Sequence, residues 1–377
     1  AIAALILLLI IFNFVSPYFL TTINIANLFV QSATLMMISA ALVFVIMLGE
    51  IDLSAGVTAG TGMAIFVKLN QQGWSWPISL ALAFVLGVAT GWVLGYFVAK
   101  VGVPSFVISL AFYLAFPGVM LIILGEGGVL RLEVPEISAI MNTNLPLWGG
   151  WAMLGVCLVL TFAMGYWDRS RRLKVGLPAR PLSMLWLKVG GIGLLGGLGV
   201  LILSLPRSLN PVFPVQGVPT VIPIALFLLF VGTFVLDRTK FGRYMYAVGG
   251  NPEAARRAGI KVARIRIYAF MICSFLAMIS GVLNISRIGN VESSAGRAIV
   301  LSGVAAAVVG GVSLFGGRGR LVHAAIGAFV ISIIDNGLGL IGIPAGVSFI
   351  VTGTVLTVAA TVDALSRKRS GGSLTRS

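Results

Sequence analysis

Two carboxylates lie inside an apolar stretch of this sequence, Leu42–Val67, which reads LVFVIMLGEIDLSAGVTAGTGMAIFV. Glu50 and Asp52 are two of only 11 acidic residues in a chain of 377. A charge at the centre of a bilayer costs about 2.5–3.5 kcal/mol on insertion scales, so such groups avoid lipid and often line ion or substrate pathways. We therefore take Glu50, Asp52 and the neighbouring Ser54 as candidate pathway or gating residues.

The composition indicates which elements must position these side chains. The chain is 58% hydrophobic and 10% charged, whereas soluble domains are about 25% charged. Apolar runs long enough to cross a bilayer as helices recur along its length, and none shows the strict alternation of a barrel strand. The sequence predicts an all-α polytopic membrane protein with about twelve transmembrane helices. The predicted spans are roughly 1–15, 32–48, 54–69, 77–98, 105–124, 150–166, 189–205, 219–236, 267–285, 298–314, 321–341 and 346–364.

The basic residues predict the orientation of these spans. The net charge is +15, and its position in short loops between apolar runs favours membrane topology over nucleic-acid binding. If the N-terminus is cytoplasmic, 21 of the 26 Lys and Arg residues lie in loops on the cytoplasmic side. Cytoplasmic loops carry an excess of these residues, so both termini are expected in the cytoplasm. Ala1 already lies in an apolar run, and we expect a trimmed N-terminus.

A helix break would accommodate the two carboxylates. The second span would end near Leu48–Gly49, and Asp52 or Ser54 would cap the third by accepting its free backbone N–H groups. Such a turn either serves only as a cap or also lines a pathway. The segment 49–56, GEIDLSAG, has a weak echo in 310–317, GGVSLFGG, and paired broken segments can mark a transport route.

Glycines recur at helical spacing within the predicted spans. Gly56 and Gly60 form one G-x-x-x-G pair, and Gly87, Gly91 and Gly95 form a double one. Small residues at this spacing let helices approach closely in lipid. The pattern predicts either tight packing within the chain or a face for a second copy.

The loop 237–266 carries the signals of a short independent helix on the cytoplasmic side. Asn251 is a good N-cap residue and Pro252 suits the first helical position. Glu253 complements the helix dipole, and Gly259 is typical of the position after a helix end. Because a helix of about seven residues is marginal alone in water, this one is either a docking element for another protein or an ordinary surface loop.

Neither catalytic nor metal-binding spacing is present. The two cysteines and the single histidine lie far apart in apolar runs, which favours buried packing residues. No G-x-x-x-x-G-K-[S/T] motif occurs, so this chain is not expected to bind ATP, and we expect no other cofactor in it. Further pathway candidates are polar or aromatic residues near span ends or breaks: Asn27, Gln31, Ser105, Phe106, Asn284, Asp335 and Asn336.

Five segments together resemble the membrane permease subunits of bacterial ABC importers for monosaccharides, in the ribose/xylose branch. They are GEIDLS, VPSFVISLAF (103–112), the 237–267 segment with GGNPEAARRAGI, VVGGVSLFGGRG (308–319) and IIDNGLGLIGIP (333–344). The resemblance covers nearly the whole chain. The extra spans around 150–205 and the basic cytoplasmic loop 168–188 most resemble xylose permeases, which makes a pentose the leading substrate.

The resemblance implies a single permease domain, 1–366, of type II importer architecture, followed by a basic cytoplasmic tail, 367–377. It implies a homodimer in the bacterial inner membrane that receives sugar from an external binding protein. ATP and Mg²⁺ would bind separate cytoplasmic ATPase subunits, so this chain would not be an enzyme. An ion-coupled carrier and a non-transporting scaffold subunit remain alternatives. The resemblance also implies a coupling segment that contacts the ATPase through Gly250, Asn251, Pro252, Glu253, Ala254, Ala255 and Gly259.

Overall fold

The computed structural model describes residues 2–125, 127–179, 181–208 and 215–372. Predictions that involve Arg180, in the loop 168–188, or the tail beyond 372 lie outside the described residues. The helices are α1 (Ile2–Val15), α2 (Thr22–Ile46), α3 (Ala55–Gln71), α4 (Trp76–Tyr96), α5 (Ser105–Leu124), α6 (Pro135–Asn142), α7 (Leu147–Lys174), α8 (Leu182–Ser204), α9 (Val221–Arg238), α10 (Lys240–Gly250), α11 (Pro252–Arg257), α12 (Val262–Ile288), α13 (Arg297–Gly310), α14 (Leu321–Leu340) and α15 (Ala345–Gly372). A π-helical turn, Phe97–Val101, extends α4.

Each of the twelve predicted spans overlaps a helix, although α2 begins ten residues before its predicted span, and the count of twelve is not confirmed. Nine helices among the described residues are long and apolar enough to cross a membrane. The helices α1 and α13 are apolar but shorter, and α3 has 17 residues. The predicted loop 168–188 is largely helical, because α7 continues to Lys174 and α8 begins at Leu182. The described chain is therefore a polytopic helical protein with at least nine candidate spans.

The helices α2 and α12 form the centre of the bundle. They pack along each other, and 83% and 67% of their most apolar stretches are buried. By contrast, only 11% is buried in each of α7 and α8, which pair with each other at the periphery. With a rise of about 1.5 Å per residue, α12 is about 40 Å long, enough to cross the hydrocarbon core.

The two ends of this central pair define the two ends of the molecule. Beyond the C-terminus of α12, strand β2 (Asn290–Glu292) pairs antiparallel with β1 (Val129–Arg131). We call this the ribbon end. Before the N-terminus of α12 lies the short helix α11, and we call this the coupling-segment end.

The glycine patterns lie at close contacts within the chain. Along α4, a Cβ at Gly91 would lie 2.5 Å from the Phe270 carbonyl oxygen of α12, and a Cβ at Gly95 would lie 2.7 Å from Ile267 Cα. On α3, a Cβ at Gly56 would lie 2.2 Å from the Gly296 carbonyl oxygen. These distances exclude any side chain, so the pattern reflects packing inside one chain.

Candidate functional site

The two carboxylates lie in a break between α2 and α3, at the coupling-segment end. Asp52 is fully buried, and its Oδ1 accepts hydrogen bonds from the Ser54 backbone N–H at 2.9 Å and the Ser54 hydroxyl at 2.6 Å. The prediction that Ser54 could itself cap α3 is wrong, because its hydroxyl donates to Asp52 and makes no capping bond. Cys273 Sγ lies 3.8 Å from Asp52 Oδ2, so α12 covers this carboxylate.

The break is fixed by its neighbours on both sides. Arg266 Nε lies 3.2 Å from Glu50 Oε1, which connects the break to the first turns of α12. Ser105 Oγ accepts a hydrogen bond from the Ile51 backbone N–H at 3.1 Å, and Ser109 Oγ donates to the Ile51 carbonyl oxygen at 3.2 Å. The start of α5 therefore satisfies both backbone groups of Ile51, as irregular backbone within a membrane protein requires.

Three backbone segments meet beside this break. The Gly317 N–H donates to the Met47 carbonyl oxygen at 2.9 Å. A Cβ at Gly249, near the end of α10, would lie 1.9 Å from the same oxygen. Gly316 has a φ of +79°, and a Cβ there would lie 2.8 Å from the Gly49 nitrogen. We call this contact of segments 47–49, 249–250 and 316–317 the glycine junction.

The junction also brings together the two halves of the sequence echo. Residues 49–56 and 310–317 are far apart in the chain, yet Gly49 packs against the Phe315 carbonyl group. Tyr246 of α10 reinforces the contact, because its hydroxyl donates to the Gly319 carbonyl oxygen at 2.9 Å. Burial raises the pKa of the Tyr246 phenol.

The coupling segment follows α10 directly. Asn251 Oδ1 accepts the Ala254 backbone N–H at 3.0 Å, Pro252 occupies the first helical position, and Gly259 has a φ of +83°. Gly250, Asn251, Glu253, Ala254 and Gly259 are exposed, and Pro252 is partly exposed.

Ala255 does not belong with these exposed residues. It is 5% exposed and packs into the hydrophobic core of its own chain. This burial argues against a contact between the Ala255 side chain and a partner protein, because that side chain anchors α11 to the bundle. The contact itself stays a prediction.

The remaining pathway candidates do not join this site. Phe106 is 50% exposed on the surface of α5, and Asp335 is exposed on α14. Asn336 exchanges two hydrogen bonds of 2.9 Å with Asn24 of α2, which is a packing contact between helices. Within the described chain no group of three or more His, Cys, Asp or Glu residues could hold a metal ion.

A second polar region lies at the ribbon end. A cavity of about 650 Å³ is lined by residues of α2, α6, the C-terminus of α12 and the connection after α8. It brings together two of the polar residues singled out in the sequence, Asn27 and Gln31, with four others that were not predicted as pathway residues. Those four are Asn142, Asn144, Arg207 and Arg287. Asn284 instead lines a separate cavity of about 20 Å³.

Arg207 and Arg287 were noticed only as basic residues outside the cytoplasmic loops. The sequence predicts both in loops on the outer side of the membrane, where the topology rule does not explain an arginine. This position was the signal that could have identified them as functional candidates.

Residues 24–360 match the family model described as a branched-chain amino acid transport system / permease component. The xylose transport system permease protein of Escherichia coli (strain K12) is 35% identical over 373 residues, which cover 98% of this chain and 92% of that protein. The xylose permease protein of Haemophilus influenzae is 31% identical over 357 residues, or 93% and 91% of the two chains.

The ribose import permease protein of Escherichia coli (strain K12) is 28% identical over 360 residues, covering 96% of this chain and 91% of that protein. No solved structure matches the chain.

Proposed function

Since the chain belongs to the family of permease components of branched-chain amino acid transport systems, we propose that it is the membrane translocation subunit of an ATP-driven importer of a pentose such as xylose. The observation that carries this proposal is the 35% identity to a xylose permease over 98% of the chain. Permease components of this kind are not themselves enzymes. ATP hydrolysis therefore belongs to a partner subunit.

The cavity at the ribbon end favours a sugar over an amino acid as the transported substrate. An amino acid carries a charged α-ammonium group, which needs a carboxylate partner when it leaves water. Among the described residues that line the cavity, four carry amide groups and two are arginines, and none is acidic. Amides donate and accept hydrogen bonds, as the hydroxyl groups of a sugar do.

Membership in this family implies two partners, an ATPase and a substrate-binding protein. We propose that the coupling-segment end faces the cytoplasm and that its exposed residues, above all Glu253 and Ala254, contact the ATPase. The ribbon end would then face outward and receive sugar from the binding protein. The working unit would contain two copies of the chain.

The glycine junction supports this assignment, because it connects the coupling segment to the end of the central helix α2 through main-chain contacts. ATP binding on the partner would favour one of two arrangements of the helices, and the junction would carry that preference into the bundle. Glu50, Asp52, Ser54 and Ser105 would hold the break in register during this change.

Uptake of labelled D-xylose into proteoliposomes tests the function directly. The permease is reconstituted with the ATPase and binding protein encoded beside it. Uptake should require ATP and should continue when an ionophore collapses ion gradients. Uptake that stops with the ionophore would indicate an ion-coupled carrier. Normal assembly without sugar-stimulated ATP hydrolysis, for any monosaccharide tested, would indicate a scaffold subunit.

A further inference from the structure

The cavity at the ribbon end contains polar side chains that the protein itself leaves free. Asn27, Gln31 and Asn144 make no side-chain hydrogen bond within the described part of the chain. Asn142 donates from Nδ2 to the Ser138 and Ser286 carbonyl oxygens, each at 2.8 Å, and its Oδ1 accepts no bond from the described residues. Several acceptors and donors are therefore available to an occupant of this cavity.

Arg207 is the second and stronger indication of a ligand. The residue is only 8% exposed. Its Nη2 donates to the Gly217 carbonyl oxygen at 2.9 Å, but Nη1 is buried without a partner among the described residues. A buried N–H without a partner is costly, and the cost is greater for a charged group. The position is explained if an oxygen-rich ligand, or water in its absence, accepts from Nη1.

The lining selects the chemical class of this ligand. A phosphate or carboxylate would be expected to meet mainly donors, whereas the amides of Asn27, Gln31, Asn142 and Asn144 offer acceptors as well. We propose that this cavity is a receiving site for a neutral monosaccharide, in which the amides bind the hydroxyl groups and Arg207 fixes one of them. This inference rests on the proposed transport function and assigns that function a binding site in the permease itself.

The placement of the site on α2 fits a step early in transport. Asn27 and Gln31 are four residues apart and share one face of the helix. Gln31 lies nine residues from the start of α2, or about 14 Å along its axis. A sugar bound there would lie in the half of α2 that is farther from the break at its C-terminal end.

The test measures binding and uptake separately. D-Xylose is titrated into the permease in nanodiscs without binding protein, and binding is followed by saturation-transfer difference NMR. Uptake is measured in proteoliposomes with all three components. The variants are Asn27→Leu/Gln31→Leu on α2 and, on a different element, Asn144→Ala. Gln72→Leu, which changes an exposed amide after α3 outside the cavity, is the matched control.

We expect both cavity variants to lose the D-xylose signal and to lower uptake at least tenfold, while ATP hydrolysis stimulated by the binding protein persists. The Gln72 variant should behave as wild type. Wild-type binding and uptake in either properly inserted cavity variant would overturn the proposal, as would a site that binds inorganic phosphate but not D-xylose. Failure of the proposed function gives a different result, namely no ATP-dependent sugar uptake by the wild type.

Discussion

Arg266 Nε lies 3.2 Å from Glu50 Oε1, and the two side chains are 27% and 13% exposed. Nε has no hydrogen-bond partner with suitable geometry among the described residues, so the contact is an ion pair. It joins the break after α2 to α12, four residues into that helix. A carboxylate in an apolar stretch of sequence is thus compensated by an arginine from the coupling-segment end.

Breaking this pair should destabilise the protein, because the remaining charge loses its partner in a partly buried place. Glu50→Gln and Arg266→Gln should each lower the midpoint of thermal unfolding in detergent. A double-mutant cycle should give a coupling energy of about 0.5–3 kcal/mol. As a control, the exposed Glu253–Arg256 pair should contribute at most about 0.5 kcal/mol. A cycle for Glu50 and Arg266 with no coupling would contradict the assigned role.

Asp52→Asn and Asp52→Leu separate the hydrogen bonds that Asp52 accepts from Ser54 from the charge of Asp52. Asn retains an oxygen that can accept from Ser54, whereas Leu leaves a buried N–H and a buried hydroxyl without a partner, each costing about 1–3 kcal/mol. Asn should keep folded protein and transport, and Leu should lose folded protein on size-exclusion chromatography. If Asn instead abolishes uptake with normal stability, the charge itself acts in transport.

The glycine junction predicts opposite outcomes for two adjacent glycines. In Gly249→Ala the new Cβ would lie 1.9 Å from the Met47 carbonyl oxygen, whereas a Cβ at Gly250 meets nothing within 4 Å. Overpacking costs about 1–3 kcal/mol or more, so Gly249→Ala should lower thermal stability while Gly250→Ala leaves it nearly unchanged. Equal stability of the two variants, measured by differential scanning fluorimetry, would show that the junction is not closely packed.

Reversing the charge of Glu253 should prevent binding of the ATPase without affecting folding. Glu253 is exposed in the first turn of α11, directly after Pro252. Glu136→Arg is a matched control, because Glu136 follows Pro135 in the first turn of α6 and is also exposed. Both changes oppose a helix dipole by about 0.3–1 kcal/mol, but only Glu253 lies in the coupling segment.

Pull-down of the ATPase should therefore fail for Glu253→Arg and succeed for Glu136→Arg. Ala254→Trp, on the exposed side of α11, should also fail. If both Glu253→Arg and Ala254→Trp bind the ATPase as wild type does, the coupling segment is not the docking element.

Cysteine labelling checks the proposed orientation. In a background without Cys157 and Cys273, a cysteine at Gln72 should react in intact cells with a thiol reagent that cannot cross the membrane. A cysteine at Ala258, exposed just after α11, should react only in inverted vesicles. The reverse pattern would place the coupling segment outside the cell.

Most of the helices, and the break after α2, could be predicted from the sequence. Apolar runs long enough to cross a bilayer predicted the long helices. Gly49, followed by two carboxylates, predicted the end of α2. The capping pattern of Asn251 and Pro252 located α11. In each case the signal is local, because helix ends and charges in apolar runs are decided by neighbouring residues.

Contacts between distant segments were harder to predict. The burial of Ala255 depends on which side of a six-residue helix faces the bundle, and so short a helix shows no clear periodicity. Arg207 lies in a connection whose path to the cavity depends on tertiary structure. The only sequence signal for the glycine junction was the weak similarity between 49–56 and 310–317. Main-chain contacts require that side chains are absent, and they do not require a particular side-chain pattern.

Main-chain contacts have a mechanical consequence. Side chains at an ordinary interface can change rotamer and absorb a small displacement, but Gly249 and Gly317 meet Met47 with no side chain between them. We therefore expect a displacement of α10 either to move the end of α2 or to break the junction. The helix α2 is about 37 Å long, so we expect a tilt that begins at the junction to displace Asn27 and Gln31 near its other end.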